Sequence, residues 1–212
     1  MTEPVPVVLL HGALRSAIGM RPTARFLARH GFEPRSFNYA TRRRSLEQHA
    51  EQLEAEIRSW LVGRAPAVIG LLTHSMGGLV ARALLARPSL HEFAPRQRLV
   101  MLAPPNRGAA LAVRNRDFGP FRWLYGQAAV ELQPPRVAEL PAPPSSCATL
   151  ILIGGTGDGR GYNRRIQGDD DGVVASDETT LPGLDPEFVG GVHSTLQWRR
   201  DVLTRAAAFL AK

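Results

Sequence analysis

The amino-acid sequence predicts an α/β fold with an open, mostly parallel sheet of about six strands and helices on both faces. Short apolar runs alternate with helix-like segments along the chain, which is typical of such sheets. The run "VPVVLLH" (5–11) is apolar throughout, as expected of a strand that is buried on both faces. A chain of 212 residues suits one folded unit, so we expect residues 1–212 to form a single domain.

The segments after this first strand carry helix boundary signals. In "RPTARFLARHG", Pro22 suits a first helical turn and Gly31 suits a helix end. Residues 33–39 form a weaker strand candidate. Ser45 and Gln48 then predict a capping box at the start of a second helix. The apolar residues on one face of that helix are Leu46, Ala50, Leu53, Ile57, Trp60 and Leu61.

The rest of the chain alternates in the same way. "AVIGLLT" (67–73) predicts a strand, and a helix follows from Gly77 to about Ala86 because Pro88 prevents its continuation. The further predicted elements are strands at 98–104, 148–155 and 186–192 and a closing helix at 195–211.

Two longer segments interrupt this alternation. Residues 105–147 are rich in proline and too long for a tight connection, and such segments are usually functional covers or disordered. Residues 156–174 are rich in glycine and charge. Their "GGTGDGRG" stretch does not have the glycine spacing of a dinucleotide-binding loop and comes too late in the chain for one.

The net charge of +7 comes almost entirely from arginine, since Lys212 is the only lysine. The arginines are scattered, and the one run, Arg42–Arg44, has no interleaved aromatic residues. We therefore expect no nucleic-acid partner, with an anionic partner as the alternative interpretation of the charge.

The sequence also bears on location. No apolar stretch approaches the roughly 18 to 20 residues needed to span a bilayer, so we expect no transmembrane segment. The apolar start lacks the basic region and small-residue cleavage site of a signal peptide. Cys147 is the only cysteine, so no internal disulfide can form. These observations predict a cytoplasmic protein.

The stretch "LLTHSMGGLVAR" predicts a strand, a tight turn at Ser75 and a helix. Such a turn lifts a serine hydroxyl above the sheet and places the N–H of the next residue at a helix start. Gly77 and Gly78 are small, as close contact between strand and helix requires, whereas Thr73 stands where the nucleophile turn usually has glycine. Ser75 is thus a candidate nucleophile, and a simple helix N-cap is the alternative.

A serine nucleophile needs N–H donors for the negative oxygen of its tetrahedral intermediate. Gly12 follows the first strand and allows the backbone to turn close to Ser75. We expect the N–H groups of Ala13 and Met76 to form this oxyanion hole. His11 is interpreted as a packing residue that holds the loop by hydrogen bonds.

A serine also needs a base, and in this type of fold the base follows the acid in the chain. His193 lies between a predicted strand and the last helix, where a loop would carry its imidazole back over Ser75. His91 is the other histidine beyond Ser75, but it follows a helix expected to end at the opposite edge of the sheet.

The residue that orients the base is an aspartate in one of two places. Asp158 follows the strand at 148–155, where catalytic loops of parallel sheets gather. Asp171 lies in "DDDGVV", with an apolar pair after it that would anchor the loop. The neighbouring Asp169 and Asp170 are expected to face solvent. This acidic cluster does not have the spacing of an EF-hand calcium loop.

The sequence resembles the α/β-hydrolase superfamily, and within it the small bacterial lipases and esterases. The blocks that carry the resemblance are "VVLLHG" (7–12), "HSMGGLVAR" (74–82), "LAPPNRGAALA" (102–112), "DDDGVV" (169–174) and "VHSTL" (192–196). The third block has Asn106 where the family has histidine. The "DG-[LV]-V" pattern of similar lipases favours Asp171 over Asp158 as the acid. The family places a cap where this chain has 105–147.

The resemblance implies a serine hydrolase of carboxylic esters with Ser75 as nucleophile, His193 as base and Asp171 as its orienter. It implies an ester or acyl-lipid substrate and no cofactor for the chemistry, although some members bind a structural calcium. The aromatic and apolar residues of the cap are expected to face the acyl group or to form the cap's own core: Phe118, Phe121, Trp123, Leu124 and Tyr125. A non-catalytic binding protein and an acyltransferase with the same triad are the alternatives.

Overall fold

The computed structural model describes residues 3–212, except for the side chains of residues 91–93. It contains one sheet of six strands, in agreement with the predicted fold class. The strands are β1 (Val5–Leu10), β2 (Phe32–Phe37), β3 (Val68–His74), β4 (Arg96–Leu102), β5 (Cys147–Ile153) and β6 (Glu187–Phe188).

The strand order is β2-β1-β3-β4-β5-β6, and the strand pairs in this order are all parallel. The chain runs from β1 outward to β2, returns to the other side of β1 as β3, and then continues in that direction. The order therefore reverses between β1 and β3. In open parallel sheets, the crevice at such a reversal, beyond the carboxyl ends of the strands, is where ligands bind.

Helices cover both faces of this sheet. They are α1 (Arg21–Arg29), α2 (Leu46–Trp60), α3 (Met76–Leu85), α4 (Pro88–Phe93), α5 (Ala110–Arg114), α6 (Gly119–Tyr125), α7 (Ala128–Glu131), α8 (Pro134–Ala138) and α9 (Arg200–Leu210). Successive residues of β1 alternate between two apolar clusters: Val8 and Leu10 pack with α2 and α3, and Val7 and Leu9 pack with α1 and α9. Among the described helices, none is both long and apolar enough to cross a membrane.

The start of α2 has the capping box that the sequence predicts. The backbone N–H of Gln48 donates to the Ser45 hydroxyl over 3.3 Å, and the N–H of Ser45 donates to the Gln48 side chain over 3.0 Å. Both bonds satisfy amides that a helix start leaves unpaired. The face toward the sheet buries Leu46, Ala50, Leu53 and Ile57, as the apolar spacing indicates.

The carboxyl-terminal part differs from the prediction in two places. The last strand, β6, has only two residues, because positive φ angles of 66° and 90° at Gly190 and Gly191 turn the chain out of the strand. The closing helix starts at Arg200 instead of residue 195, and a 3₁₀ turn over His193–Trp198 precedes it. The indole N–H of Trp198 donates to the Gly19 carbonyl over 2.8 Å, which ties this turn to the loop before α1.

The segment 105–147 is neither an open loop nor disordered; it folds into the four short helices α5 to α8. Prolines open two of them, Pro120 in α6 and Pro134 in α8, where the missing N–H costs no helical hydrogen bond. Apolar residues of the segment join the core on the α2 and α3 side of the sheet: Ala109, Ala112, Ala128, Leu132, Val137 and Leu140.

One buried arginine joins this segment to the helix after β3. Arg82 of α3 is 4% exposed and donates to the carbonyls of Leu140 (2.6 Å), Pro141 (3.0 Å) and Asn106 (3.1 Å). Burial lowers the pKa of its guanidinium to about 10, which still leaves it charged at neutral pH. Since these carbonyls flank α5 to α8 on both sides, Arg82 fixes the two ends of the segment to α3.

Replacement of this arginine tests its contribution to stability. Arg82→Met preserves most of the aliphatic volume but leaves the three carbonyls without a donor, so we expect a decrease of about 3 kcal/mol in the free energy of unfolding. Denaturant unfolding followed by circular dichroism measures it. Arg96→Met, on an exposed residue at the start of β4, is the control and should change stability by less than about 0.5 kcal/mol. Equal effects of the two substitutions would contradict the assigned role of Arg82.

A second buried polar residue, His49, differs from Arg82 because its side chain has no hydrogen-bond partner among the described residues. His49 of α2 is fully buried with its ring 5.0 Å from that of Tyr39, and neither ring nitrogen has a partner within the described part of the chain. Burial, followed by the charge of Arg44, lowers the pKa of His49 to about 4. The imidazole is therefore neutral in the folded protein at neutral pH.

This lowered pKa predicts a dependence of stability on pH. Between its usual value of 6.5 and about 4, His49 binds a proton in the unfolded chain but not in the folded one. The free energy of unfolding should therefore fall as pH decreases through this window, by up to about 1.4 kcal/mol per pH unit from this residue. His49→Leu should make the decrease shallower, measured by unfolding curves from pH 8 to pH 4.5. Parallel curves for the two proteins would show that His49 does not contribute.

Candidate active site

The turn between β3 and α3 holds Ser75 in an unusual backbone conformation. Its φ and ψ angles are 54° and −127°, outside the regions that a serine normally adopts. The Ser75 N–H donates to the Leu102 carbonyl at the end of β4 over 2.8 Å, and the Ser75 carbonyl accepts from the Gly78 N–H over 2.9 Å. These bonds hold the tight turn. No side-chain cap bond from Ser75 to the helix is present, so its hydroxyl does not act as an N-cap.

The two glycines after Ser75 lie in close packing. A Cβ atom at Gly77 would lie 2.7 Å from the Leu10 carbonyl oxygen of β1, and one at Gly78 would lie 2.7 Å from the Met101 methyl group. The Leu10 carbonyl belongs to the backbone of β1 and cannot move aside, whereas the Met101 methyl group ends a flexible side chain and can, so the requirement for glycine is strict at position 77 and weaker at position 78. Thr73 is compatible with the turn because it lies in β3, buried, with its hydroxyl donating to the Val100 carbonyl over 3.2 Å.

The loop after β1 lies directly beside Ser75. A Cβ atom at Gly12 would be 3.1 Å from that of Ser75, so a side chain here would have to push the loop and Ser75 apart by a few tenths of an ångström. The N–H of Leu14, at a φ of 56°, donates to the Thr41 hydroxyl over 3.2 Å and fixes the loop. Within the part of the chain that the structure describes, the N–H groups of Ala13 and Met76 have no acceptor.

His11 holds the base of this loop. Its Nδ1 lies 2.9 Å from the Gly12 carbonyl, and the Tyr39 N–H donates to its Nε2 over 3.4 Å. The ring stacks on that of Tyr39 with 4.2 Å between centroids. Burial lowers the pKa of His11, so the neutral tautomer that makes both bonds is favoured. These contacts agree with its interpretation as a packing residue.

His193 and Asp171 form a buried pair. Nδ1 of His193 lies 2.6 Å from Oδ2 of Asp171, as a donor to the carboxylate, and the His193 N–H donates to the Asp171 carbonyl over 2.8 Å. The other carboxylate oxygen of Asp171 accepts the N–H groups of Val173 (3.0 Å) and Val174 (2.8 Å). The two side chains are 8% and 2% exposed, so the pair is shielded from water.

The remaining aspartates of this region have other partners. Asp158 is exposed and accepts from the Thr156 hydroxyl (2.6 Å) and the Arg160 N–H (2.9 Å), so it is not the acid that contacts His193. Asp170 is fully buried, which contradicts the prediction that it faces solvent. Its carboxylate accepts the N–H groups of Gly172 (2.6 Å) and Asn163 (3.1 Å), and these bonds offset the cost of its burial.

Ser75 and His193 open into the same cavity of about 330 Å³. The residues that line it include Gly12, Ala13, Leu14, Arg15, Ser75, Ala109, Tyr125, Leu132, Val173, Val174 and His193. Of the five apolar cap residues named from the sequence, only Tyr125 lies in this wall; Trp123 is 75% exposed. The side chain of His91, the other histidine beyond Ser75, lies outside the described residues.

His74 is a further candidate functional residue, and no pattern in the sequence predicts its role. Its Nε2–H donates to the His193 carbonyl over 3.0 Å, and the two rings lie 4.7 Å apart. Nδ1 of His74 has no partner in the described part of the chain. Burial, followed by the nearby His193, lowers the pKa of His74 to about 3 and keeps it neutral. Its position next to Ser75 is visible in the sequence, but its contact with a residue 119 positions later is not.

Asn106, which stands where similar lipases have histidine, lies outside this cavity. Asn106 is 4% exposed, and its side-chain amide donates to the Thr179 carbonyl over 2.8 Å. The main-chain carbonyl of Asn106 accepts from Arg82. Asn106 is therefore a structural residue at the start of the segment 105–147. Among the described side chains, no three His, Cys, Asp or Glu residues are placed to hold a metal ion.

No family model and no curated protein matches the sequence. Solved structures do match. The mature form of the Bacillus licheniformis lipase BlEst2 aligns with a TM-score of 0.73 at 19% identity, over 92% of this chain and 86% of the lipase. The metagenomic carboxyl esterase MGS0156 aligns with a TM-score of 0.73 at 17% identity, over 98% of this chain and 75% of the esterase.

A third solved structure, the phospholipase PlaB from Legionella pneumophila in complex with thio-NAD, aligns with a TM-score of 0.68 at 14% identity. The alignment covers 98% of this chain and 62% of PlaB. At such low identities the likeness concerns the fold. The chain has the α/β-hydrolase fold, and the solved structures that it resembles include bacterial lipases and esterases.

Proposed function

We propose that the protein is a serine hydrolase that cleaves carboxylic esters, with Ser75, His193 and Asp171 as its catalytic triad. The observation that carries this proposal is the buried 2.6 Å bond between His193 and Asp171 at the wall of the cavity that also contains Ser75. A serine hydroxyl becomes a nucleophile when a base can take its proton and a third group orients that base. The structural likeness to lipases and esterases supports the same conclusion.

In the proposed reaction, the Ser75 oxygen attacks the ester carbonyl carbon while Nε2 of His193 accepts the hydroxyl proton. Asp171 stabilises the resulting imidazolium and stays ionised. The imidazolium then donates its proton to the departing alcohol as the carbon–oxygen bond breaks, which leaves the acyl group on Ser75. Water, deprotonated by His193, attacks this acyl-enzyme. The imidazolium then returns the proton to the Ser75 oxygen as its bond to the acyl carbon breaks, which releases the carboxylic acid.

The tetrahedral intermediates of both steps carry a negative oxygen. We assign the N–H groups of Ala13 and Met76 as its donors. Their lack of other acceptors within the described residues supports this assignment, as does the approach that Gly12 permits beside Ser75. Donors that are already in position lower the barrier because they need no reorganisation during the reaction.

The cavity favours short acyl groups. Its volume of about 330 Å³ is at the lower end of the range for ligand pockets, and its apolar wall is formed by side chains of Ala109, Tyr125, Leu132, Val173 and Val174. An acyl chain of a few carbons fits this space, whereas a long lipid chain would have to extend over the surface.

Substitution of the triad tests the proposal. Ser75→Ala should lower kcat for p-nitrophenyl butyrate by about 10⁴-fold or more, and Asp171→Asn by about 10⁴-fold, because the nucleophile or the correct imidazole tautomer is lost. Ser59→Ala, at an exposed serine of α2, is the control and should keep full activity. Labelling of the wild type, but not of Ser75→Ala, by a fluorophosphonate probe should accompany these losses. Unchanged hydrolysis by Ser75→Ala would refute the triad.

We further propose that His74 is a positioning residue for His193. Its Nε2–H holds the carbonyl of His193, while the His193 N–H and Nδ1–H both bond to Asp171. The imidazole of His193 is thereby held from two sides. Because His74 stays neutral, it adds no charge beside the imidazolium that forms during catalysis.

The role of His74 is testable with two substitutions. His74→Gln places an amide N–H at the same number of bonds from the backbone as Nε2, whereas His74→Leu has no donor. We expect His74→Leu to lower kcat on the order of 10-fold with little change in KM, and His74→Gln to recover most of this loss. The downfield NMR signal of the His193 Nδ1–H should weaken only in the leucine variant. Equal losses in both variants would show that packing, and not the hydrogen bond, matters.

A further inference from the structure

A second cleft of about 690 Å³ opens beside the cavity of Ser75. The two spaces share Leu14 and Arg15, which form the wall between them. The far side of the second cleft is formed by the loop after β2, including Arg42 and Arg43, and by Leu124 of α6. The arginine run of the sequence thus lies next to the candidate catalytic centre, in a space that the proposed ester hydrolysis does not use.

The second cleft carries positive charge without nearby compensation. Arg15, Arg42 and Arg43 line it, and no aspartate or glutamate is among its lining residues. Some arginines elsewhere in the described chain pair with carboxylates, as Arg64 does with Glu33 and Arg205 with Glu187. No carboxylate lines this cleft, so the charge of its three arginines is not neutralised locally.

The contacts of these three arginines leave donors free. Arg15 donates to the Ser194 hydroxyl over 3.3 Å, and Arg42 donates to the Trp123 carbonyl over 2.7 Å with its guanidinium 5.5 Å from the indole ring. The Arg43 guanidinium has no partner within the described residues. A guanidinium has five N–H donors in a planar fork, so the cleft offers several unused donors to one anion.

We propose that this cleft binds a phosphate group carried by the alcohol part of the ester substrate. A phosphate has oxygens for several guanidinium forks and up to two negative charges, which suits three arginines better than a single carboxylate does. An acyl group in the Ser75 cavity places its ester at the wall formed by Leu14 and Arg15. The alcohol part then reaches the second cleft across that wall. This inference rests on the proposed ester hydrolysis.

A matched pair of substrates tests the phosphate site. 1-Butanoylglycerol and 1-butanoylglycerol 3-phosphate contain the same ester and differ only in the phosphate. We expect kcat/KM for the phosphorylated ester to exceed that for the neutral one, and the excess to shrink as salt rises, because ions screen exposed charges. Equal values for the two esters at low salt would overturn the inference.

Substitutions of the cleft arginines test whether the higher kcat/KM for the phosphorylated ester depends on this cleft. Arg43→Gln should lower the ratio of the two kcat/KM values about 5-fold, and the double variant Arg15→Gln/Arg43→Gln about 20-fold, while hydrolysis of the neutral ester by Arg43→Gln stays unchanged. Arg96→Gln makes the same change of charge at the exposed start of β4, at the end of the strand opposite the carboxyl end near Ser75, and serves as the control. If it changes the ratio as much as Arg43→Gln does, net charge and not the cleft is responsible.

Direct binding separates this inference from the proposed hydrolysis. Calorimetry with Ser75→Ala should detect glycerol 3-phosphate, and Arg43→Gln in that background should weaken binding about 5-fold. Binding in the absence of any esterase activity would support the anion site and count against the proposed reaction. Inorganic phosphate bound as tightly as glycerol 3-phosphate would indicate a site for the free ion, and that result or no binding would overturn the substrate assignment.

Discussion

The backbone of Ser75 depends on the close contact between the start of α3 and the carbonyl ends of β1. Gly77 allows that contact, since a Cβ atom there would be 2.7 Å from the Leu10 carbonyl oxygen. The bond from Ser75 to the Leu102 carbonyl fixes the other side of the turn to β4. The turn therefore requires β1, β3 and β4 to lie side by side, as they do in the sheet.

In the loop at 169–174, two neighbouring aspartates have different roles: one holds the loop and the other binds His193. Asp170 is fully buried and binds backbone N–H groups of its own loop, which holds the loop together. Asp171 accepts two further N–H groups with one oxygen and uses the other to bind His193. Because the loop is held by hydrogen bonds to its backbone, the carboxylate that faces His193 has a defined position before any substrate arrives.

The sequence allowed prediction of most elements whose signals are local. The apolar run of β1, the capping box of Ser45 and Gln48 and the turn at Ser75 each depend on a few neighbouring residues. The helices of 105–147 were not predicted because each has seven residues or fewer, too short for an apolar period to emerge. The burial of Asp170 and the contact of His74 were missed because backbone groups, some distant in the chain, supply their partners.

The way Arg82 holds the segment 105–147 bears on how freely the sequence of that segment can change. The guanidinium binds main-chain oxygens of Asn106, Leu140 and Pro141, which any amino-acid type would present. The attachment is thus indifferent to the side chains of the helices between these points. The exposed residues of those helices can therefore change, and with them the shape of the entrance above the serine, while Arg82 and the buried apolar residues of the segment keep it attached to the core.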